Sequence, residues 1–177
     1  MVRAMATGYR NPMESRKQSF PPVVDAQVRL LVLGSLPGDR SLAEQRYYAH
    51  PQNQFWWLIG GALGRDLAAL PYDDRLVALL AAHVGLWDVV ASAHRPGSTD
   101  AAIRDIEQHD LAALAATLPD LRAIAFNGGT ALRLGLRQLG GLAERYAIVA
   151  LPSSSPLHTI GLAAKQPAWS ALRDHLA

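Results

Sequence analysis

A short apolar run at residues 30–33, followed at once by a turn rich in glycine and proline, constrains the fold of this chain most strongly. An apolar run of this length, bounded by turn residues, predicts a strand that is covered on both faces, as in a parallel sheet. Gly34, Pro37 and Gly38 then allow tight turns and a close approach of the backbone to a ligand. Because open α/β sheets bind ligands at the carboxyl ends of their strands, the sequence predicts a ligand site in this turn.

Along the rest of the chain, short apolar runs alternate with segments of helical periodicity. Such alternation predicts an α/β protein in which helices connect parallel strands. The predicted strands are residues 29–33, 84–90, 122–126 and 146–151. The predicted helices are residues 54–63, 73–82, 99–108, 110–118, 129–139 and 167–176. We therefore expect a three-layer α/β/α architecture around a central, mainly parallel sheet of four strands.

The composition is that of one globular domain. The chain has 177 residues, of which 50% are hydrophobic, and this is enough for a single domain with a sizeable core. Residues 1–18 are basic and contain no apolar run long enough for a signal peptide or a membrane span. We expect these residues to form a flexible arm and residues 19–177 to form the domain. The formal net charge of +2 does not identify a polyanionic partner by itself.

The absence of cysteine limits the chemistry of the protein. With zero cysteines, disulfides, Cys-ligated zinc and iron–sulfur clusters are excluded. The six histidines include no His-x-x-x-His pair that would place two imidazoles on one face of a helix. We therefore expect neither a metal ion nor another cofactor. Without a secretion signal, we expect the protein to be cytoplasmic and not associated with a membrane.

A polar and aromatic segment follows the first turn. Residues 47–56 read Tyr-Tyr-Ala-His-Pro-Gln-Asn-Gln-Phe-Trp, so several hydrogen-bonding side chains crowd into one short connection. A plain connection between a strand and a helix would need none of them. Phe55, Trp56 and Trp57 are expected in the core, whereas the polar side chains indicate a binding site.

These two segments resemble the first motif of the uracil-DNA glycosylase superfamily, in its hypoxanthine-DNA glycosylase branch. The Ala-His-Pro-x-Asn-x-Phe-Trp part is shared with the mismatch-specific uracil/thymine glycosylases. Three further segments are similar to the branch in the same order: Gly-Leu-Trp-Asp-Val-Val at 85–90 with Arg-Pro-Gly-Ser at 95–98, Phe-Asn-Gly at 126–128, and Leu-Pro-Ser-Ser-Ser-Pro at 151–156. Four motifs in one order argue against a chance match.

The resemblance implies that residues 19–177 are a monofunctional DNA glycosylase, which hydrolyses the N-glycosidic bond of a deaminated base and leaves an abasic site. Hypoxanthine, as deoxyinosine, is the first expected substrate and uracil the second. The expected partner is DNA containing deaminated bases, bound by a monomer. Such an enzyme turns the nucleotide out of the duplex, holds the base in a pocket and fills the gap that is left. No lysine lies in the matched motifs, so no Schiff-base lyase step is expected.

The resemblance assigns Asn53 as the catalytic side chain, which would position the attacking water. The first turn carries Leu36 where relatives have an activating Asp or Asn. Either Asn53 takes over the positioning of water and the support of the cationic sugar, or the mechanism depends on stabilisation of the leaving group. Alternatively, Asn53 caps the helix that follows it, and the two roles can coexist. Tyr48 corresponds to the aromatic residue on which the extruded base stacks, with a place in the core as the alternative.

Base recognition is expected from the ends of the first two strands. Ser35 and Leu36 would contribute backbone N–H groups, directed at a base oxygen where negative charge gathers as the bond breaks. Asp88 stands where relatives carry an Asn that reads the base edge, and it could accept a hydrogen bond from N1–H of hypoxanthine. A helix cap or a salt bridge with Arg95 is the alternative for Asp88.

The last motif resembles the loop with which the superfamily enters the minor groove. Its hydroxyls are expected to contact phosphates, Leu157 to act as an apolar wedge, and His158 to touch a phosphate or assist the departing base. The candidate DNA-binding residues are Ser153, Ser154, Ser155, Leu157 and His158. Asn127 is expected to bond local backbone in a strand-to-helix turn.

Two other functions stay open at this point. The shared Ala-His-Pro-x-Asn-x-Phe-Trp segment favours a mismatch-specific uracil/thymine-DNA glycosylase. The lack of Asp or Asn at position 36 favours a module that binds damaged DNA without turnover.

Overall fold

The computed structural model describes residues 16–177, which form two β-sheets with helices packed around them. The strands are β1 (Lys17–Gln18), β2 (Leu30–Gly34), β3 (Val84–Asp88), β4 (Val90–His94), β5 (Arg104–Gln108), β6 (Ala123–Asn127) and β7 (Ala147–Leu151). The helices are α1 (Asp39–Glu44), α2 (Phe55–Leu63), α3 (Tyr72–Ala81), α4 (Leu111–Ala116), α5 (Gly129–Leu139) and α6 (Leu162–Ser170), and 3₁₀ turns lie at Asp100–Ala102, Gly140–Arg145 and Ala171–His175. Within residues 16–177, no helix has the length and apolar character needed to cross a membrane.

The larger sheet consists of four parallel strands in the spatial order β3-β2-β6-β7. Every residue of the two central strands, β2 and β6, is buried, as expected for strands covered on both faces. Successive side chains of β2 enter opposite cores, Leu30 and Val32 one core, Leu31 and Leu33 the other. The predicted four-stranded parallel sheet is confirmed.

Helices cover both faces of this sheet. On one face, α2, α3 and α6 contribute fully buried side chains that include Phe55, Leu79 and Trp169. On the other face, α4 and α5 contribute Leu111 and Leu134, next to apolar residues of the smaller sheet. The predicted three-layer α/β/α architecture is therefore confirmed.

The smaller sheet is antiparallel, with the order β1-β4-β5, and the sequence does not predict it. The helix predicted at residues 99–108 is wrong, because Asp100–Ala102 forms a 3₁₀ turn and Arg104–Gln108 forms β5. Ile103 and Ile106 have the i,i+3 spacing of a helix, but they pack against the second core while the backbone of β5 pairs with β4. Pairing with the preceding strand, β4, has overridden the local periodicity.

The predicted strand at residues 84–90 is two strands. It divides at Val89, where the chain leaves the larger sheet and enters the smaller one. The N–H groups of Val89 and Val90 donate to the carbonyl oxygens of Gly34 and Ser35, at 2.8 and 3.0 Å. These bonds tie the first turn to the point where the chain changes sheets.

The first strand and the last helix differ from the predictions. The predicted arm, residues 1–18, lies outside the described residues except for its last three. Of these, Lys17–Gln18 form β1 and pair with β4. These two residues are therefore part of the smaller sheet and not of a flexible arm. The helix predicted at residues 167–176 begins earlier, as Leu162–Ser170, and continues as the 3₁₀ turn Ala171–His175.

Candidate active site

The carboxyl ends of the parallel strands surround a cavity of about 430 Å³. This volume lies within the range of small-molecule sites. The cavity wall includes every residue for which the sequence predicts catalysis, base binding or DNA binding: Ser35, Leu36, Tyr48, Asn53, Asp88, Ser153, Ser154, Ser155, Leu157 and His158. Four distant segments of the chain meet here because parallel strands present their carboxyl ends at the same edge of a sheet.

A buried arginine fixes the first turn. Arg95 is 1% exposed, and its guanidinium donates to the carbonyl oxygens of Leu36, at 3.1 Å, and Pro37. A buried cation needs a counter-charge, and Asp100 provides it, with 3.6 Å between Nη1 of Arg95 and Oδ1 of Asp100. The salt bridge considered for Asp88 is therefore made by Asp100. The sequence alone does not predict this ion pair, although Arg95 belongs to a matched motif.

The backbone of the first turn offers two hydrogen-bond donors. Ser35 and Leu36 are buried, and no residue in the described part of the chain accepts a hydrogen bond from their N–H groups. Buried backbone donors are almost always paired in proteins. These two N–H groups are therefore suited to an acceptor on a molecule that enters the cavity.

Asp88 ends β3 and is 3% exposed. Its Oδ2 has no hydrogen-bond partner among residues 16–177. Burial, together with the nearby charge of Asp100, raises the pKa of Asp88 to about 7, and the positive charge of Arg95 opposes this rise. An unpaired buried carboxylate is costly, so the arrangement is suited to a ligand that supplies a donor.

Gly34 makes room for the groups around it. A Cβ at this position would lie 2.6 Å from Oδ1 of Asp88 and 3.0 Å from the hydroxyl oxygen of Tyr48. Both distances are too short for a methyl group, so only glycine allows these two side chains to converge on the end of β2.

The ring of Tyr48 lines the cavity and is supported by Phe55. The two rings are stacked, with 3.9 Å between centroids and 12° between planes, and Phe55 is fully buried. The hydroxyl of Tyr48 accepts a hydrogen bond from Nδ2 of Asn127, at 3.2 Å. Its φ of 53° lies in the left-handed region that favours glycine, so the surrounding contacts hold the backbone there. Burial raises the pKa of Tyr48, so its phenol stays neutral.

Asn53 lies next to Gln54, the N-cap residue of α2, and caps the start of this helix through an Asx-type contact. Its Oδ1 accepts a hydrogen bond from the N–H of Phe55, at 3.0 Å, at the start of α2. The amide NH₂ group makes no hydrogen bond to the described residues. Because Asn53 also lines the cavity, this NH₂ group is the half of the amide that is left for water or a ligand.

Asn127 connects the sheet to the serine-rich loop. Its Oδ1 accepts from the N–H of Ser154 and its Nδ2 donates to Oγ of Ser154, both at 2.8 Å. Ser154 is 1% exposed, so its hydroxyl serves this network and is not accessible to a phosphate, contrary to the prediction. The prediction that Asn127 bonds local backbone is wrong, because its side chain bonds Ser154, 27 residues along the chain, and the hydroxyl of Tyr48.

The rest of the serine-rich loop carries an exposed apolar side chain. Leu157 is 62% exposed, and its N–H donates to Oγ of Ser155, at 3.2 Å. Below it, the buried Lys165 of α6 donates to the carbonyl oxygen of Ser155, at 3.3 Å. His158 is exposed. A loop that is bonded at its base and apolar at its tip, beside a cavity, has the form that a wedge requires.

The cavity is suited to hydrogen bonding and proton transfer. Within residues 16–177, no group of three His, Asp or Glu side chains could hold a metal ion. Three carboxylates, Asp39, Asp88 and Asp100, line the cavity together with the amide of Asn53 and the phenol of Tyr48. A flat, uncharged molecule with donors and acceptors on its edge would find partners for both.

Comparison with known proteins agrees with this geometry. The family model of the uracil DNA glycosylase superfamily matches residues 21–173. A protein named hypoxanthine DNA glycosylase from Methanosarcina barkeri is 38% identical over 157 residues, which are 88% of this chain and 96% of the relative. A second protein of that name, from Methanosarcina acetivorans, is 38% identical over 161 residues, which are 90% and 99% of the two chains.

A solved structure supports the same assignment. A solution NMR structure from Methanosarcina acetivorans, provisionally named a uracil DNA glycosylase, matches with a TM-score of 0.80 at 38% sequence identity. The match covers 92% of this chain and 99% of that one. The resemblance seen in the four sequence motifs is thus confirmed over nearly the whole chain. The chain belongs to the uracil DNA glycosylase superfamily.

Proposed function

We propose that this protein is a monofunctional DNA glycosylase that removes deaminated bases from DNA, hypoxanthine first and uracil second, and leaves an abasic site. The names of the two Methanosarcina relatives support the first substrate. The observation that carries the proposal is the buried, unpaired Oδ2 of Asp88 in a cavity lined by an aromatic ring. In its ionised form, this carboxylate lacks a donor that a bound base can supply.

The donor pattern of the cavity matches the pairing edge of hypoxanthine. N1–H of hypoxanthine can donate to Asp88, and O6 can accept from the N–H groups of Ser35 and Leu36. Adenine presents the reverse pattern, an acceptor at N1 and an amino group at C6, so an ionised Asp88 would repel it. Uracil has an N3–H beside a carbonyl oxygen and fits the same pattern, which supports it as the second substrate.

Three groups in the cavity each have one role in the proposed reaction. The ring of Tyr48 packs against the extruded base. The backbone N–H groups of the first turn stabilise the negative charge that gathers on the base as the glycosidic bond breaks. The NH₂ group of Asn53 orients the attacking water, and its capping bond to Phe55 holds it in place. The proposed reaction needs no cofactor.

The serine-rich loop is the proposed contact with the duplex. The hydroxyls of Ser153 and Ser155 and the exposed His158 would bond phosphates, and Leu157 would fill the space of the extruded nucleotide. One chain supplies every proposed residue, so we propose that a monomer acts on DNA, in the cytoplasm.

Excision assays test the proposed function. Purified protein is incubated with duplexes that contain hypoxanthine, uracil or xanthine, and abasic sites are cleaved with alkali. We expect strand cleavage with hypoxanthine first and uracil more slowly. A preference for uracil or thymine in mismatches would instead identify a mismatch-specific glycosylase. Tight binding with no cleavage of any duplex would identify a damage-binding module.

The wedge predicts an effect that depends on the substrate. Leu157→Ala should slow excision from a paired duplex about tenfold more than excision from single-stranded DNA, because unstacking costs a few kcal/mol only where the base is stacked and paired. Ile160→Ala is the matched control, since Ile160 is also exposed but does not line the cavity. Single-turnover rates on both substrates measure the effect. Equal slowing on the two substrates would mean that Leu157 supports the fold or the pocket.

A further inference from the structure

Asp100 has a carboxylate in the cavity wall but has no role in the reaction steps assigned to Tyr48, Asn53 and the first turn. It lies in the 3₁₀ turn between β4 and β5, in a segment whose sequence favours a helix. Its side chain is 38% exposed, whereas Asp88 is 3% exposed, and both line the cavity. Asp100 therefore lies nearer the mouth. A base that reaches Asp88 would place its sugar at the level of Asp100.

Two contacts fix the Asp100 carboxylate against the first turn. Its Oδ2 accepts a hydrogen bond from Oγ of Ser35, at 2.7 Å, and its Oδ1 lies 3.6 Å from the guanidinium of Arg95. The same loop is tied to α1, because Oγ of Ser98 accepts from the N–H of Asp39, at 3.0 Å. Asp100 is thus held beside Leu36, the residue that replaces the activating Asp or Asn of relatives.

The charge of Asp100 opposes the binding of DNA. A carboxylate at the mouth of a cleft repels phosphates, so the charge of Asp100 pairs with Arg95 but does not itself favour DNA binding. A glycosylase gains, because positive charge develops on the sugar as the base departs and a fixed negative group stabilises it. Burial raises the pKa of Asp100, and the Ser35 hydrogen bond and Arg95 oppose this rise.

We propose that Asp100 supplies the carboxylate that the first turn lacks at Leu36, accepting the proton of the attacking water and stabilising the cationic sugar. The inference rests on the proposed glycosylase function. The bond between C1′ and the base nitrogen breaks, and its electron pair goes to the base. The water oxygen bonds to C1′, and the water proton passes to Asp100, which returns it to solvent. The departing base takes up a proton from solvent. Asn53 donates to the same water.

Charge removal at Asp100 is the test, measured as single-turnover excision of hypoxanthine from duplex DNA. Asp100→Asn keeps an oxygen that can accept from Ser35 but removes the charge, so excision should slow about 100-fold while DNA binding is unchanged or tighter. Asp120→Asn is the matched control, because it makes the same charge change at an exposed aspartate that does not line the cavity. Its rate should stay within about threefold of wild type.

Chemical rescue separates proton transfer from support of the fold. Formate should restore part of the activity of Asp100→Ala and none of that of Asp100→Asn, because only the alanine leaves space for a small carboxylate. Thermal unfolding checks that each variant is folded. If Asp100→Asn is not folded, Ser35→Ala replaces it, and losing the hydrogen bond that orients Asp100 should slow excision about tenfold.

Three results would overturn the inference: a wild-type rate in Asp100→Asn, equal losses in Asp100→Asn and Asp120→Asn, or no rescue of Asp100→Ala by formate. Any of them would leave the proposed glycosylase intact as long as the wild-type protein excises the base. If the wild-type protein releases no base, the proposed function fails, and the role of Asp100 fails with it.

Discussion

Asn53→Ala is expected to lower single-turnover excision of hypoxanthine by about two to four powers of ten while DNA binding stays nearly unchanged. The physical reason is that the NH₂ group of Asn53 is the part of the amide left free to orient water at the cavity wall. Gln52→Ala is the matched control in the same loop, because Gln52 is exposed and does not line the cavity. Rates are measured with enzyme in excess over DNA.

The capping role of Asn53 must be separated from catalysis. Asn53→Ala also removes the acceptor for the N–H of Phe55, which should cost about 1 kcal/mol of stability. Asn53→Ser retains a side-chain oxygen for that bond but has no NH₂ group. We expect Asn53→Ser to be nearly as stable as wild type and nearly as slow as Asn53→Ala. Wild-type excision by either variant would contradict the assignment.

Asp88→Ala is expected to lower excision of hypoxanthine about 100- to 1,000-fold, because N1–H would then be buried without an acceptor. The ionised form of Asp88 is the acceptor, and burial raises its pKa to about 7. The wild-type rate should therefore rise as the pH increases through about 7 and then level off. Asp88→Asn should lack this rise. A wild-type rate that falls over the same range would show that the protonated acid is the active form.

The same carboxyl group makes a prediction for stability. Its pKa is raised in the folded protein from an ordinary value of 3.8, so the folded state binds this proton more tightly than the unfolded state. The Asp88 carboxyl group therefore contributes favourably to the stability of the folded protein at low pH, and this contribution is lost as the pH rises from about 4 to 7. Asp88→Asn should be more stable than wild type at about pH 8, by about 2 kcal/mol, and this gain should shrink at about pH 5. Urea unfolding at the two pH values measures the difference.

The sequence predicts the place of the site well, because that place depends on local patterns. The apolar run that forms β2 and the turn at Gly34 establish a strand end. Once the strands are parallel, the turns after them meet at one edge of the sheet, so Tyr48, Asn53 and Asp88 line one cavity as the motifs imply. Periodicity and motif order are sufficient for this part of the prediction.

The contacts that tune the site are not local, and the sequence misses them. Asp100 reaches Ser35 only because the segment after it pairs with β4, although the spacing of its isoleucines favours a helix. Its ion pair with Arg95 follows from the same pairing. A charged residue between an apolar strand and a Pro-Gly pair, as at Arg95, is the one signal that could have indicated a buried partner.

The three serines of the last motif show the same limit. The residues Ser153, Ser154 and Ser155 have identical side chains, so the sequence predicts a phosphate contact equally for each of them. Asn127, on a different strand, selects Ser154 for burial by bonding both its N–H and its hydroxyl. Which of several like residues faces solvent is decided by a partner across the sheet, and one local pattern does not contain that partner.

The most direct measurement of the central claim is the identity of the released product. Wild-type protein is mixed with a duplex that contains one deoxyinosine, and the low-molecular-weight fraction is analysed by mass spectrometry while abasic sites are counted on the DNA. We expect free hypoxanthine in amounts equal to the abasic sites, and no free adenine from the matching deoxyadenosine duplex. Binding of the deoxyinosine duplex without release of free hypoxanthine would contradict the account.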